Sequence, residues 1–299
     1  MTLTELRYIV ALHQTGHFRK AAEQCHVSQP TLSIAVKKLE EELGVPLFER
    51  SRHKVSATPI GERIVSQART VLQETHNLLE LAESGKDPLG SVLSVGAIYT
   101  VGPYLFPRLV TRLQQAAPQM PLFIEESFTA NLRIKLTAGE LDAIFIALPF
   151  TETDVVTRPV YEEPFVVLMP EDHPLSRARA IDPNELAQHR VLLLGEGHCF
   201  RDQVLEACPG LQQAISDSYA RGYSVLEGSS LETLKHMVAT GLGITVLPKS
   251  AADIAQYGQH TLTERPFADP VPKRTIALAW RASYPRHQAI DILAGALSN

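Results

Sequence analysis

The chain has 299 residues, 44% hydrophobic and 20% charged, with a formal net charge of -5. That length fits about two domains of ordinary globular composition; three cysteines exclude a disulfide framework and point to a reducing cytoplasm. No apolar run approaches the roughly 18 residues of a membrane span, and Met1 to Phe18 carries Glu5 and Arg7 inside its apolar pattern, unlike a secretory signal.

The charge is unevenly spread. Residues 1–58 hold eight Lys/Arg against six Asp/Glu, so this segment is positive and the remainder negative. Phe18 to Cys25 predicts a short helix with the small pair Ala21-Ala22. Ser28 then N-caps a second helix, with Pro30 in its first turn. Leu32, Val36, Leu39 and Leu43 recur at helical spacing as a core stripe, and Gly44 and Pro46 stop the helix. The opposite face holds Pro30, Ile34 and Lys37, flanked by Ser33 and Lys38, with Gln29 and Thr31 beside the helix start. Small polar groups at a helix start suit base edges, and lysines further along suit phosphates, as in a helix-turn-helix. The same face reads equally as the solvated side of an ordinary helix pair. Arg50, Arg52, His53 and Lys54 then crowd the stretch between Phe48 and Val55. A charge run is usually a solvated turn; directly after a helix-turn-helix pattern it suits a hairpin wing along the phosphate backbone.

Thr58 and Pro59 begin a longer helix as N-cap and first residue. Ile64, Ala68, Val71, Thr75, Leu78 and Ala82 form a heptad seam, widened by Val65, Leu72 and Leu79. Such a seam can pack on its own protein; at this length a dimerisation arm explains it better. Ser84-Gly85-Lys86-Asp87-Pro88 reads as a hinge.

The arrangement FRKAAEQCHVSQPTLSIAVKKLEEELGVPLFER, then RHKVSATPIGE, resembles the winged helix-turn-helix of LysR-type transcriptional regulators. The resemblance implies an all-α/winged helix-turn-helix DNA-binding domain over 1–58, a linker and dimerisation helix with hinge over 59–90, and a regulatory domain over 91–299. It also implies double-stranded operator DNA and RNA polymerase as partners, and a homodimer or homotetramer.

From Ser91 onward, strands and helices alternate. Val92–Gly96, Leu122–Glu126 and the apolar run Ala143–Leu148 read as strands, with helices at Pro103–Gln115 and Leu132–Ala138 between them. The rhythm restarts after Tyr161, with strands at Phe165–Met169, Val191–Leu194 and Ile244–Leu247 and helices from Cys199 and over Leu231–Thr240. Arg274–Trp280 is a late strand before a C-terminal helix. This predicts an α/β domain with a mainly parallel sheet. LysR-type regulators resemble periplasmic binding proteins here, which implies two subdomains: one of 91–162 with 267–299, the other of 163–266. Ligands in such folds bind beyond the carboxyl ends of strands, which directs attention to Thr100, Thr129 and the loop at Gly195.

In GEGHCFRDQVLEAC, Cys199 falls at the start of a helix, beside His198 and two residues before Arg201. A helix N-terminus and nearby cations favour a thiolate, and a thiolate is oxidised by peroxide to a sulfenic acid. If 199–207 is helical, Cys208 lies about 13 Å away, too far for a disulfide without unwinding. Cysteine is also often an inert buried hydrophobe, and at arbitrary spacing that reading leads; Cys25 is read so. No metal site is expected, since His198 and Cys199 are adjacent with no further ligands at hand, and no cofactor is implied.

His-Cys-x-Arg-Asp-Gln followed by this second cysteine resembles the hydrogen-peroxide sensors of the LysR family. So do Ile98 to Leu105, Ser230 to Leu234 and Arg274-Thr275-Ile276. That resemblance implies Cys199 as peroxidatic and Cys208 as resolving residue of a reversible disulfide, reset by a cellular dithiol. Thr100, Thr129 and His198 match peroxide-binding positions, and Arg274 matches a thiolate-stabilising one. Two other functions compete. One is a LysR-type regulator binding a small organic anion in the cleft, with Ser229 and Ser230 facing Thr100; the other is a thiol peroxidase with Cys199 as nucleophile, against which the N-terminal domain argues.

Overall fold

The computed structural model describes residues 1–50, 55–84, 89–213, 227–253 and 261–297. It divides into two compact units, one containing Met1–Lys86, the other Asp87–Leu136 and Glu140–Asn299.

The first unit opens with α1 (Leu3–Thr15), which begins in a Thr2/Glu5 capping box and ends at Gly16 in the left-handed region. Helix α2 (Phe18–Gln24) contributes the buried pair Ala21 and Ala22, small enough for close helix crossing. Ser28 caps α3 (Gln29–Leu43), its hydroxyl accepting from the Thr31 amide. Leu32, Val36 and Leu39 are buried against Leu6, Ile9 and Leu12 of α1, each such side chain contributing about 1.5–3 kcal/mol. Leu43, expected in that stripe, is 37% exposed: the helix ends there, and Leu47 fills the core instead. Glu40 ties the end of α3 to the next segment by accepting from the amides of Leu47 and Phe48 at 2.7 and 3.1 Å. Strands β1 (Phe48–Arg50) and β2 (Val55–Ala57) pair antiparallel. Thr58 accepts from the Gly61 amide at the start of the 26-residue α4 (Pro59–Ser84). Val65 and Ala68 of α4 join the core, whereas Val71, Leu78 and Leu79 of the heptad seam are 38%, 67% and 59% exposed. The expected hinge at 85–88 lies outside the described residues.

The second unit is one nine-stranded sheet with helices on it. In chain order it comprises β3 (Leu93–Ile98), α5 (Gly102–Ala116), β4 (Leu122–Ser127), α6 (Thr129–Thr137), β5 (Ala143–Ala147), β6 (Val155–Pro170), β7 (Val191–Leu194), α7 (Cys199–Ala207), β8 (Glu227–Gly228), α8 (Leu231–Ala239), β9 (Ile244–Pro248), β10 (Leu262–Pro266), β11 (Lys273–Arg281) and α9 (His287–Gly295). The strand order is β4-β3-β5-β11-β6-β9-β7-β8, with β10 also on β6.

The sheet is mixed rather than mainly parallel. β3 pairs parallel with β4 and β5, and β7 with β8 and β9; β11 and β6 run antiparallel to all their partners. The long β6 causes this. Residues 155–164 pair with β11, and residues 165–170 pair with β9 and β10. Register shifts opposite Pro159, which has no amide to give the ladder and leaves Val160 as the extra residue. The two halves of β6 serve two cores. One gathers Leu93, Phe145, Ile146, Leu278 and Tyr284; the other gathers Phe165, Val167, Leu192, Phe200 and Leu247. β11 returns the chain to the first core.

Candidate functional site

Three segments meet at one small cavity. The turn after β3 supplies Tyr99 and Thr100, the junction of β4 and α6 supplies Ser127, Phe128 and Thr129, and the loop before α7 supplies Gly197, His198 and Cys199. These follow the carboxyl ends of β3, β4 and β7, where an open α/β sheet leaves room for a ligand. Gly197 takes φ +92°, and a Cβ there would press on the Phe128 ring at 3.3 Å. The cavity measures ≈ 10 Å³, about the least that holds one water-sized guest.

Each polar group around it has a definite state. Thr100 is buried, and its hydroxyl accepts from Arg274 Nη1 at 2.8 Å while its carbonyl accepts from Nη2 at 2.9 Å. A hydroxyl that accepts from a guanidinium keeps its own proton free to donate elsewhere. The Thr129 hydroxyl is buried with no hydrogen-bond partner, an unsatisfied group that a polar guest would satisfy. His198 is buried, and burial holds its imidazole below the usual range, opposed by a hydrogen bond to the Ser229 backbone. It is therefore neutral at pH 7, wedged edge-on to Phe128 at 4.8 Å. Cys199 is half-buried and opens α7, where no side chain caps the first amides and the helix end favours negative charge.

The cations expected to help are otherwise engaged. Arg201 donates to the Leu194 carbonyl at 2.7 Å and to Glu227 at 2.6 Å. Arg274 is fully buried, donates to Glu163 at 2.7 Å and lies over the Phe200 ring at 4.9 Å. Glu163, unremarked in the sequence, thus balances the buried guanidinium and fixes its reach to Thr100. Its signal was faint: an acidic residue directly before the apolar run of β6. Tyr104 and Glu232 also acquire a role, since the Tyr104 hydroxyl donates to Glu232 at 3.0 Å and Glu232 pairs with buried Lys235 at 2.6 Å, joining α5 to α8.

Cys208 does not join the cavity. It caps the far end of α7, is wholly buried in the second core, and burial pushes its thiol up to about 11. Ser230, a candidate anion ligand, caps α8 by accepting from the Thr233 amide. All three cysteines are free thiols; burial raises Cys25 as well.

In the first unit, Gln29, Pro30, Thr31, Ile34, Lys37 and Lys38 stand on the exposed side of α3, with Ser33 half-buried. Ile34 is 69% exposed. Lys37 pairs with Glu41, and Lys38 leans toward buried Glu5 at 3.5 Å. Arg50 lies in β1; Arg52 and Lys54 lie outside the described residues.

Residues 3–62 match the bacterial regulatory helix-turn-helix protein, lysR family, and residues 86–298 match the LysR substrate binding domain. The chain belongs to the LysR family. Among LysR-type proteins it is 39% identical over 297 residues to the DNA-binding transcriptional dual regulator OxyR of Escherichia coli K12, covering 99% of this chain and 95% of that one. It is 38% identical over 300 residues to the hydrogen peroxide-inducible genes activator of Haemophilus influenzae, covering 100% and 97%. Its fold matches full-length OxyR C199D from Pseudomonas aeruginosa with a TM-score of 0.75 and 58% identity, over 99% of this chain and 94% of that one. As a LysR-type regulator it pairs a DNA-binding domain with a regulatory domain of mixed helix and sheet. Among the described residues no helix is long and apolar enough to cross a membrane.

Proposed function

We propose that this LysR-type regulator senses hydrogen peroxide through Cys199 and converts it to a change in DNA binding through a reversible Cys199–Cys208 disulfide. One observation carries the reading: a cavity of ≈ 10 Å³ bounded by a thiol, a neutral imidazole and two threonine hydroxyls. Hydrogen peroxide is a small uncharged molecule of two hydroxyls. Thr100 has a proton to donate, the Thr129 hydroxyl lacks a partner, and His198 can take up a proton from the reacting pair.

In the reaction the Cys199 thiolate attacks one peroxide oxygen. The O–O bond breaks, Cys199 becomes a sulfenic acid, and the leaving hydroxide takes a proton to become water. The Cys208 sulfur, losing its proton, then displaces hydroxide from that sulfenic acid, giving the disulfide and a second water. A cellular dithiol reverses this by exchange, leaving two protein thiols and an oxidised dithiol. The protein is consumed and reset, so it acts as a switch rather than an enzyme.

The α3 face and the β1–β2 wing are assigned to the operator, with Gln29, Pro30, Thr31, Ser33, Ile34, Lys37 and Lys38 at the helix and Arg50, Arg52 and Lys54 at the wing. The exposed α4 seam is assigned to pairing with a second copy, and a tetramer would let oxidation re-space four DNA-binding heads. We adopt the divisions 1–58, 59–90 and 91–299, the last with subdomains of 91–162 plus 267–299 and of 163–266. A cytoplasmic setting and contact with RNA polymerase follow from this reading. A small organic anion at Ser230 is disfavoured, because the hydroxyl of that serine is engaged in capping α8.

Thiol mapping by mass spectrometry on reduced protein given roughly one equivalent of peroxide tests the reading. A rapid Cys199–Cys208 link with Cys25 free is expected. Cys199 left reduced, or three thiols oxidised slowly and alike, overturns it.

A further inference from the structure

Three aromatic rings wall the cavity beside Cys199. Tyr99 and Phe128 meet edge-on with ring centroids 5.2 Å apart. Phe128 meets His198 at 4.8 Å, and Tyr99 meets His198 at 6.0 Å. All three line the cavity together with Cys199, Thr100 and Thr129. Each ring comes from a different segment: Tyr99 follows β3, Phe128 follows β4 and His198 follows β7. Gly197 lets the wall close, because a Cβ there would stand 3.3 Å from the Phe128 ring. His198 has a proton to handle, but Phe128 has no polar atom, and the reaction at Cys199 asks no chemistry of Tyr99. What these two rings supply is shape.

Thiolate attack on a peroxide is an in-line displacement, with sulfur, the attacked oxygen and the leaving oxygen in a row. Sulfur takes the terminal OH oxygen, so the leaving oxygen lies on the far side. The cavity of ≈ 10 Å³ holds about one water-sized group. From hydrogen peroxide the leaving group is hydroxide, which is that size. From an alkyl hydroperoxide the leaving oxygen carries a carbon body, and the rings stand where that body would go.

We propose that Phe128 and Tyr99 are specificity-determining residues, which admit hydrogen peroxide to Cys199 and exclude alkyl hydroperoxides by size. The proposal rests on Cys199 being the sensing thiol. With tert-butyl hydroperoxide the same step breaks the O–O bond, leaves the sulfenic acid on Cys199 and releases an alkoxide, which takes a proton to become tert-butanol. The chemistry accepts the larger oxidant; only a clash built into the wall refuses it.

Rates of Cys199 oxidation by hydrogen peroxide and by tert-butyl hydroperoxide, followed by mass spectrometry on reduced full-length protein, test this in Phe128→Ala and Tyr99→Ala. Phe128→Ala should raise the tert-butyl rate relative to the hydrogen peroxide rate by at least about tenfold, the scale on which a pocket discriminates a methylene. Tyr99 is 38% exposed, so Tyr99→Ala keeps its fold; the ratio should move the same way, by less. An unchanged ratio in either folded variant overturns the proposal alone. Hydrogen peroxide that fails to oxidise Cys199 in the unsubstituted protein overturns the sensing reading and this proposal with it. Labelling of Cys199 by methyl and benzyl methanethiosulfonate, which share a reacting group and differ in bulk, probes the wall without peroxide. Phe128→Ala should speed the benzyl reagent selectively. Equal acceleration of both reagents would mean a loosened site rather than a widened one, and overturns the proposal.

Discussion

The two ends of α7 differ sharply. At its first residue, Cys199 is half-buried beside a cavity lined by Thr100, Thr129 and His198. At its other end, Cys208 is sealed in the second core with a thiol that burial keeps protonated. One sulfur is presented to a solute and the other is core. Nine residues of helix hold them about 13 Å apart, against the roughly 7 Å limit for a disulfide. Phe200 and Val204, both about 1% exposed, anchor the intervening turns. A Cys199–Cys208 disulfide would therefore require α7 to leave its packing, and under the proposed switch that remodelling would carry an oxidation at one atom across the domain.

The largest expected effect tests the reactive end. Cys199→Ser should abolish the peroxide-dependent change in DNA footprint, leaving binding by the reduced form intact. A footprint that still shifts with peroxide would mean that another group does the sensing. Next comes the buried end. Cys208→Ala should lose the intramolecular link but keep the first step, so a sulfenic acid at Cys199 accumulates and can be trapped by a 1,3-dione and weighed. If the variant's Cys199 no longer reacts, the two thiols work together from the outset and the division between the ends is wrong.

Much of this site could be read from residue order, and the unread part has a physical cause. Cys199 at a helix start followed from the glycine-rich loop after an apolar strand, a local pattern. The Ser28 cap and Pro30 were equally local. Glu163 was missed because its importance comes from Arg274, 111 residues later, reached only when β6 and β11 pair. The same crossing defeated the expected parallel sheet: strands read singly carry no direction, and the sixteen-residue β6, running antiparallel to three neighbours, exceeded the single five-residue strand anticipated at Phe165–Met169. Arg201 was misassigned for the opposite reason. Sequence nearness to Cys199 suggested a charge partner, but on α7 its side chain reaches back to Leu194 and Glu227.

Glu163 offers a finer probe of the Cys199 end. Glu163→Gln keeps an acceptor for Arg274 but removes the charge, loosening the guanidinium and with it Thr100. Oxidation of Cys199 by peroxide should slow roughly tenfold, as expected for a misplaced positioning group. Alkylation of Cys199 by iodoacetamide should hardly change, because that reagent needs no alignment by Thr100. Equal slowing of both reactions would assign Glu163 to general packing.

The smallest effect belongs to Cys208 and is visible only in alkali. Its folded thiol holds its proton to about 11, against an ordinary value of 9.0. Between those limits the folded state binds more protons than the unfolded state, so stability falls as pH rises. The contribution is fully present below pH 9 and disappears between pH 9 and 11, amounting to on the order of 2 kcal/mol. Urea unfolding of reduced protein should therefore weaken more steeply over that interval than unfolding of Cys208→Ala. Lysines and tyrosines titrate in both proteins, so the difference between the two curves isolates this one thiol. Parallel curves would mean that Cys208 ionises in place. The second core would then admit water at that end of α7, and the helix would need far less remodelling before the two sulfurs could meet.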